Sequence, residues 1–128
     1  MKIDAPKEIL EVGFDEAWDN HKVWTLDLPI VWVDMRELVW HFDFPFLDED
    51  GGYYNLKPID VINHPGQHQS EYYRTMNVDM IYPIDLMEKN GRLVILDGLH
   101  RLMKAAINKE SKVAVRLVPK EKWEQIKK

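Results

Sequence analysis

The feature that most constrains the fold is an apolar strand, a tight turn and an amphipathic helix, which follow one another in residues 92–106. Residues 93–96 are apolar and have the length of a strand, and Asp97-Gly98 ends the run. A helical wheel places Leu99, Leu102, Met103 and Ala106 on one stripe, and His100, Arg101 and Lys104 on the opposite side. One helix face is therefore expected to pack, while the other presents cationic donors.

The start of this helix is a favourable place for an anion. A helix N-terminus carries about half a positive charge together with free backbone N–H groups. Gly98 permits close backbone approach, and His100 and Arg101 add charge or hydrogen bonds. In the alternative interpretation Asp97 caps the helix, Gly98 only fits the turn, and both cationic side chains face water. The first interpretation predicts a phosphate or carboxylate site at residues 97–101.

Composition limits the remaining choices. The chain has 128 residues, of which 45% are hydrophobic, so we expect one globular domain spanning residues 1–128. No apolar run approaches the ~20 residues that a membrane span needs, and residues 1–6 lack the apolar core of a signal peptide. We therefore expect a cytoplasmic protein without membrane contact.

The lack of cysteine and the negative net charge each argue against a class of function. The sequence contains no cysteine, which excludes disulfides, thiolate metal sites and cysteine catalysis. The net charge of -5 argues against broad binding to nucleic acid, because that binding needs many Lys and Arg contacts to phosphates. A local cationic pocket remains compatible with both observations.

The other elements indicate an α+β domain with a small mixed sheet flanked by helices. Helical segments are predicted within residues 7–22 (one helix, or two short turns around Gly13), after an Asp34 cap, and at 56–62, 67–76, 99–109 and 119–126. Strands are predicted at 28–33, 79–87, 92–96 and 113–118, with a hairpin turn at 88–91. Pro83 places its strand at an edge or marks a bulge, and Arg116 is expected to face solvent. The acidic stretch 48–52 is expected to be a solvated loop.

The order of elements resembles the ParB/sulfiredoxin-like fold. The resemblance covers roughly residues 79–119 and rests on Tyr-Pro-Ile-Asp at 82–85, the strand and Asp-Gly-Leu-His-Arg turn at 93–101, the paired alanines at 105–106, and the strand at 113–119. Residues 29–40 fit the first strand and short helix of the family more loosely. Members of this superfamily bind nucleotide phosphates at the matching turn. The resemblance therefore implies a nucleotide (ATP, ADP or CTP), with or without Mg²⁺, bound by Asp97, Gly98, Leu99, His100, Arg101 and Lys104.

Departures from each branch of the superfamily narrow the expected activity. Sulfiredoxins need a cysteine just before the motif histidine, where this chain has Leu99, so sulfinic reductase chemistry is excluded. ParB proteins carry an arginine-rich motif followed by a helix-turn-helix, so we expect no sequence-specific DNA partitioning. Free-serine kinases have a similar turn of the type Asp-Gly-His-Thr-Arg. In this chain the Thr is missing, and His100 directly precedes Arg101.

Phosphoryl transfer would also need a carboxylate to accept a proton or hold Mg²⁺. The candidate catalytic residues are Glu37, Asp43 and Asp97; Asp43 lies among aromatic residues, where burial would raise the pKa of a carboxyl. The alternatives are a turn-forming role for Asp43 and no catalytic role at all.

The predicted helix at 67–76 has two further interpretations. His64, His68 and Glu71 have spacings that could gather metal ligands, but Pro65 and Gly66 interrupt the helix, so we expect no metal site. The polar helix, with Gln67, His68, Gln69, Tyr72, Tyr73 and Arg74, either borders the pocket or simply faces solvent.

The leading hypothesis is therefore a nucleotide-binding protein, and it leaves open whether the bound nucleotide is transferred or hydrolysed. The alternatives are a non-catalytic module that binds a protein partner and a ParB-like DNA-associated nuclease. The five tryptophans are expected mainly in the core and its rim, with base stacking as their alternative use.

Overall fold

A four-stranded mixed sheet forms the centre of the computed structural model, which describes residues 4–128. Strands β1 (Ile30–Asp34), β2 (Ile84–Lys89), β3 (Arg92–Asp97) and β4 (Lys112–Leu117) lie in the order β1-β4-β2-β3. Pairs β1/β4 and β2/β3 are antiparallel, and β2/β4 is parallel. The predicted mixed sheet and α+β class are confirmed. Residues 1–3, which belong to the segment predicted not to be a signal peptide, lie outside the described residues.

Helices cover both faces of this sheet. They are α1 (Lys7–Val12), α2 (Asn20–Trp24), α3 (Pro58–Asn63), α4 (Gln69–Met76), α5 (Leu99–Ile107) and α6 (Trp123–Ile126), with 3-10 turns at Met35–Glu37, Val39–Asp43, Pro65–Gln67 and Lys120–Lys122. Of the two predictions for residues 7–22, the one with two short helical segments is nearer to the structure: α1 ends before Gly13, but α2 begins only at Asn20 and extends to Trp24. In the part of the chain from residue 4 onward, no helix has the length and apolar composition that a membrane crossing requires.

The sheet separates two apolar cores. The larger core joins Leu102 and Met103 of α5 to Leu86 of β2 and Val115 of β4, and all four side chains are fully buried. The smaller core lies on the opposite face and contains Val23, Met87, Leu96, Val118 and Ile126. Burial of these side chains fixes α5 on one side of the sheet, and α2 and α6 on the other.

A bulge near the end of β3 sets the direction of Asp97. Leu86 pairs with Ile95 whereas Asp85 pairs with Asp97, so Leu96 has no residue opposite it. The carbonyl of Leu96 instead accepts a hydrogen bond from Trp18 Nε1 at 3.0 Å. Because a bulge shifts the alternation of side chains, Asp97 lies on the same sheet face as Asp85.

The prediction that Pro83 lies within an edge strand is wrong. β2 begins at Ile84, directly after Pro83, and lies between β4 and β3. The missing N–H of proline is therefore outside the ladder and imposes no edge position. The β2/β3 irregularity falls later, between Asp85 and Leu86.

Arg116 was predicted to face solvent, and this is also wrong. Its Nε donates to Asp85 Oδ1 at 2.7 Å, and its Nη1 and Nη2 donate to the carbonyls of Leu26 and Val23 at 2.8 and 3.0 Å. The outward face of β4 is covered by α2 and the segment after it, so alternation along the strand places Arg116 under protein. Burial raises the pKa of the Asp85 carboxyl above its ordinary value, and the Arg116 hydrogen bond opposes that rise.

Candidate functional site

A cavity of about 420 Å³ lies beside the turn that joins β3 to α5. Its lining combines the whole turn with residues from five other parts of the chain: Ile9, Gly13, Phe14, Trp18, His41, Phe46, Tyr54, Arg74, Val78, Val94, Ile95, Leu96, Asp97, Gly98, Leu99, His100 and Arg101. Five of the six residues predicted to bind the nucleotide thus meet at one cavity. The sixth, Lys104, does not line it, and its Nζ donates to the carbonyl of Val78 at 3.2 Å.

Asp97 does not cap α5, contrary to the alternative interpretation of the turn. The N-cap residue is Gly98, and no side chain caps the helix. Asp97 Oδ2 instead accepts hydrogen bonds from Trp24 Nε1 at 2.9 Å and Arg101 Nη2 at 3.2 Å. The backbone N–H groups of the first turn of α5 are consequently not occupied by a capping side chain.

Glycine is required at position 98 for two reasons. Its φ of +115° lies in a region that L-residues rarely adopt. A Cβ at this position would lie 2.9 Å from Arg101 Nη2 and 3.1 Å from Ile84 Cγ1. The guanidinium group of Arg101 therefore lies directly over the bare backbone of Gly98.

The guanidinium of Arg101 is buried and incompletely paired. Only 12% of its side chain is exposed, and its Nε has no hydrogen-bond acceptor anywhere in residues 4–128. Asp97 occupies Nη2 alone. Because buried donors in folded proteins are nearly always paired, a guanidinium that lines a cavity and has an unpaired Nε is suited to an anionic ligand.

His100 is held by a carboxylate that the sequence did not indicate as its partner. His100 Nε2 contacts Glu71 Oε2 at 2.8 Å, with 17% and 15% of the two side chains exposed. The alternative in which His100 and Arg101 face water is therefore wrong. Glu71 lies on α4 and fixes the orientation of the imidazole ring at the cavity wall.

Helix α4 contributes a further cation. Arg74 is exposed, lines the cavity, and forms no ion pair with any carboxylate in residues 4–128. The prediction that the polar helix borders the pocket holds for Arg74. Gln67, Gln69 and Tyr73 are exposed and absent from the lining, Tyr72 packs against the larger core, and His68 contacts Glu49.

The contact between His68 and Glu49 alters the interpretation of the acidic loop. Glu49 Oε2 accepts from His68 Nδ1, and the neighbouring Asp48 Oδ1 accepts from the backbone N–H of Tyr54 at 2.8 Å. The loop was predicted only to be solvated. Two of its carboxylates instead connect it to the start of α4 and to Tyr54 in the cavity wall.

His41 lines the cavity and was not identified from the sequence. Its Nδ1 donates to the carbonyl of Leu38 at 2.7 Å, and its Nε2 accepts from the backbone N–H of Ile95 at 3.1 Å. Burial lowers the pKa of His41 from 6.5 to about 4. The ring is therefore neutral, fully hydrogen-bonded and structural at neutral pH.

The lining of the cavity also includes an aromatic wall. It consists of Phe14, Trp18, Phe46 and Tyr54, with Phe14 and Trp18 in edge contact at 5.5 Å between ring centroids. The lining therefore combines the charged side chains of the turn with apolar, π-rich surfaces.

The structure does not bring Glu37 or Asp43 to this cavity. Both are exposed, in the 3-10 turns Met35–Glu37 and Val39–Asp43, and neither contributes to the lining. The neighbouring Phe42 is buried and Phe44 is partly buried, whereas the carboxylate of Asp43 remains exposed. Asp97 is therefore the only predicted catalytic carboxylate at the cavity wall.

Metal coordination by side chains alone is not evident. Residues 4–128 contain no group of three or more His, Asp or Glu side chains placed to hold a metal ion. His64 is exposed at the end of α3 and does not lie on one continuous helix with His68.

Comparison with known proteins adds no relative. No protein-family model, curated protein or solved structure matches this chain.

Proposed function

We propose that the protein binds a nucleotide, with its phosphates at the turn formed by residues 97–101. The observation that carries this proposal is the buried Nε of Arg101, which has no acceptor in residues 4–128 and belongs to a side chain that lines the cavity. The resemblance of residues 79–119 to the ParB/sulfiredoxin-like fold supports it, because that superfamily binds phosphates at the corresponding turn.

The charges around the cavity favour an anion. Arg101 and Arg74 line the cavity as cations, and among residues 4–128 Asp97 is the only acidic residue in the lining. Asp97 is itself occupied by Arg101 and Trp24. An incoming phosphate would accept hydrogen bonds from Arg101 Nε and the first N–H groups of α5, and Arg74 would supply a solvent-exposed charge.

The size and lining of the cavity favour a nucleotide over a bare phosphate. Its volume of about 420 Å³ falls within the usual range for small-molecule sites. The aromatic wall offers π-faces against which a base can stack. In this arrangement the phosphates bind at the turn and the base contacts Phe14, Trp18, Phe46 or Tyr54.

A phosphotransferase or nucleotide hydrolase at this site would depend on Asp97 and His100. Asp97 Oδ2 already accepts from Arg101 and Trp24, so this carboxylate orients Arg101, and its other oxygen would be the one to contribute to a Mg²⁺ ion bound with the phosphates. His100, held by Glu71, is the residue placed to exchange a proton. If neither group has this role, the protein is a binding module without turnover.

Isothermal titration with ATP, ADP and CTP, each with and without Mg²⁺, tests the binding proposal. Arg74→Ala should weaken binding about tenfold without loss of stability, because Arg74 is exposed and pairs with no carboxylate of residues 4–128. Arg36→Ala is the matched control, since Arg36 is exposed and pairs only with Asp34 on the same turn. Absence of binding by all three nucleotides would refute the proposal.

Phosphate release from the bound nucleotide separates catalysis from binding. A hydrolase should lose turnover in Asp97→Asn and His100→Gln while it retains measurable nucleotide affinity. A binding module should show no release above the buffer rate with either Mg²⁺ or Mn²⁺.

A further inference from the structure

The two edges of the sheet are treated differently by the rest of the chain. At the β3 edge, Trp40 Nε1 donates to the carbonyl of Leu93 at 3.2 Å, and the N–H of Ile95 donates to His41 Nε2 at 3.1 Å. Side chains therefore occupy two of the backbone groups that a further strand would need. This edge is closed to strand addition.

The β1 edge carries no comparable cover. In residues 4–128 no side chain hydrogen-bonds to the backbone of Ile30, Val31, Trp32 or Val33. Three of these side chains are also exposed: Ile30 by 57%, Val31 by 37% and Trp32 by 67%. A free strand edge with large apolar side chains is a favourable surface for pairing with another strand.

The register shows which backbone groups of β1 point outward. Met35 N donates to Ser111 O, one step beyond the pair Asp34↔Lys112. In an antiparallel ladder the hydrogen-bonded pairs alternate, so Val33 and Val31 also bond to β4. The N–H and C=O groups of Ile30, Trp32 and Asp34 consequently face away from the sheet.

We propose that two copies of this chain pair through β1, antiparallel and centred on Trp32. In that register Trp32 lies opposite Trp32 of the second copy, and Ile30 lies opposite Asp34. Every outward N–H and C=O of these three residues then gains a backbone partner. The strand is self-complementary, because Asp34, its one charged residue, lies opposite Ile30 and not opposite Asp34 of the second copy.

The same register continues the larger apolar core across the two-fold axis. Val31 lies opposite Val33 of the second copy, on the sheet face where Val33 already packs against that core. The two Trp32 side chains form a cross-strand aromatic pair on the other face. Exposed apolar surface on both faces is thus covered by one interface, which is a reason to favour a second copy over an unrelated strand.

Sedimentation equilibrium of the whole chain at increasing concentration tests this proposal. The wild-type protein should form a dimer, and Trp32→Lys should weaken association by about tenfold or more, because like charges would lie directly opposite each other. Tyr53→Lys is the matched control: its aromatic side chain is 80% exposed and lies outside β1. Circular dichroism checks that each variant remains folded.

Mixing experiments test the register. Trp32→Lys and Trp32→Glu should each be monomeric alone and dimeric when mixed, because the opposite charges then meet across the axis. Hydrogen exchange adds a readout that needs no variant: the amides of Trp32 and Asp34 should gain protection as the protein is concentrated. A monomer at all concentrations, or a dimer that Trp32→Lys leaves unchanged, would overturn the proposal.

Discussion

The neutral state of His41 predicts a measurable loss of stability in mild acid. His41 is 2% exposed, its Nδ1 donates to Leu38 O and its Nε2 accepts from Ile95 N–H. A proton on Nε2 would remove that acceptor and place a charge in the core. This is the physical reason that burial lowers the pKa of His41 to about 4.

The sign and size of the effect follow from linkage. Because the folded pKa is below the unfolded value of 6.5, the unfolded chain binds the proton more readily, and stability falls as pH decreases below 6.5. The fall ends near the folded pKa of about 4. At about 1.4 kcal/mol per pKa unit, the free energy of unfolding should decrease by about 3 kcal/mol over this window. That is a large share of the stability of an ordinary small domain.

Urea denaturation at several pH values between 7.5 and 4 measures this decrease. His41→Gln should cost about 1–3 kcal/mol at pH 7, because it disturbs a buried hydrogen-bond pair. Its stability should then decline less steeply below pH 6.5 than that of the wild type. His64→Gln, at an exposed histidine, is the control and should keep the wild-type slope.

NMR titration of the His41 ring provides the direct readout. Its Cε1 proton shift should stay constant from pH 8 down to about 5. A midpoint near 6.5, or an unchanged acid slope in His41→Gln, would refute the reasoning.

Three further predictions concern contacts around the sheet and the turn. Arg116→Met should destabilise the fold by about 3–5 kcal/mol at pH 7, because it leaves the Asp85 carboxylate buried and unpaired. Chemical denaturation should show a smaller loss of stability at lower pH, where the Asp85 carboxyl is protonated. Gly98→Ala should cost about 1–3 kcal/mol and abolish nucleotide binding, measured by thermal unfolding and titration, because its φ is +115° and its Cβ meets the guanidinium. Glu71→Gln should leave nucleotide affinity, measured by titration, within a fewfold of wild type, because a glutamine keeps a hydrogen-bond partner for His100 Nε2.

Local patterns in the sequence were sufficient to predict the strand-turn-helix and the hairpin. In the hairpin, the turn is shorter than the predicted 88–91, because β2 continues to Lys89; Asn90 and Gly91 both adopt the positive φ that a tight two-residue turn requires. The stripe on α5 was predicted by spacing alone, and Leu102 and Met103 are fully buried. These features depend on residues close together in the chain.

The features that were missed depend on distant partners. Arg116 alternates outward along β4, but α2 covers that face, about 90 residues away in sequence. His41 gave no local signal of its role, because its acceptor function is defined by Ile95 on β3. Asp97 was considered as a helix cap, whereas the bulge at Leu96 turns it towards Trp24.

The cover over β3 limits how far this protein can assemble. Strand addition lengthens a sheet only where a free edge remains, and fibrils grow because each added strand exposes a new one. Here Trp40 and His41 occupy one edge, so a strand added at β1 leaves no second free edge on the same molecule. Growth of the sheet through this chain would therefore terminate after one step, and only loss of both side chains would free these two backbone groups of β3 for a further strand.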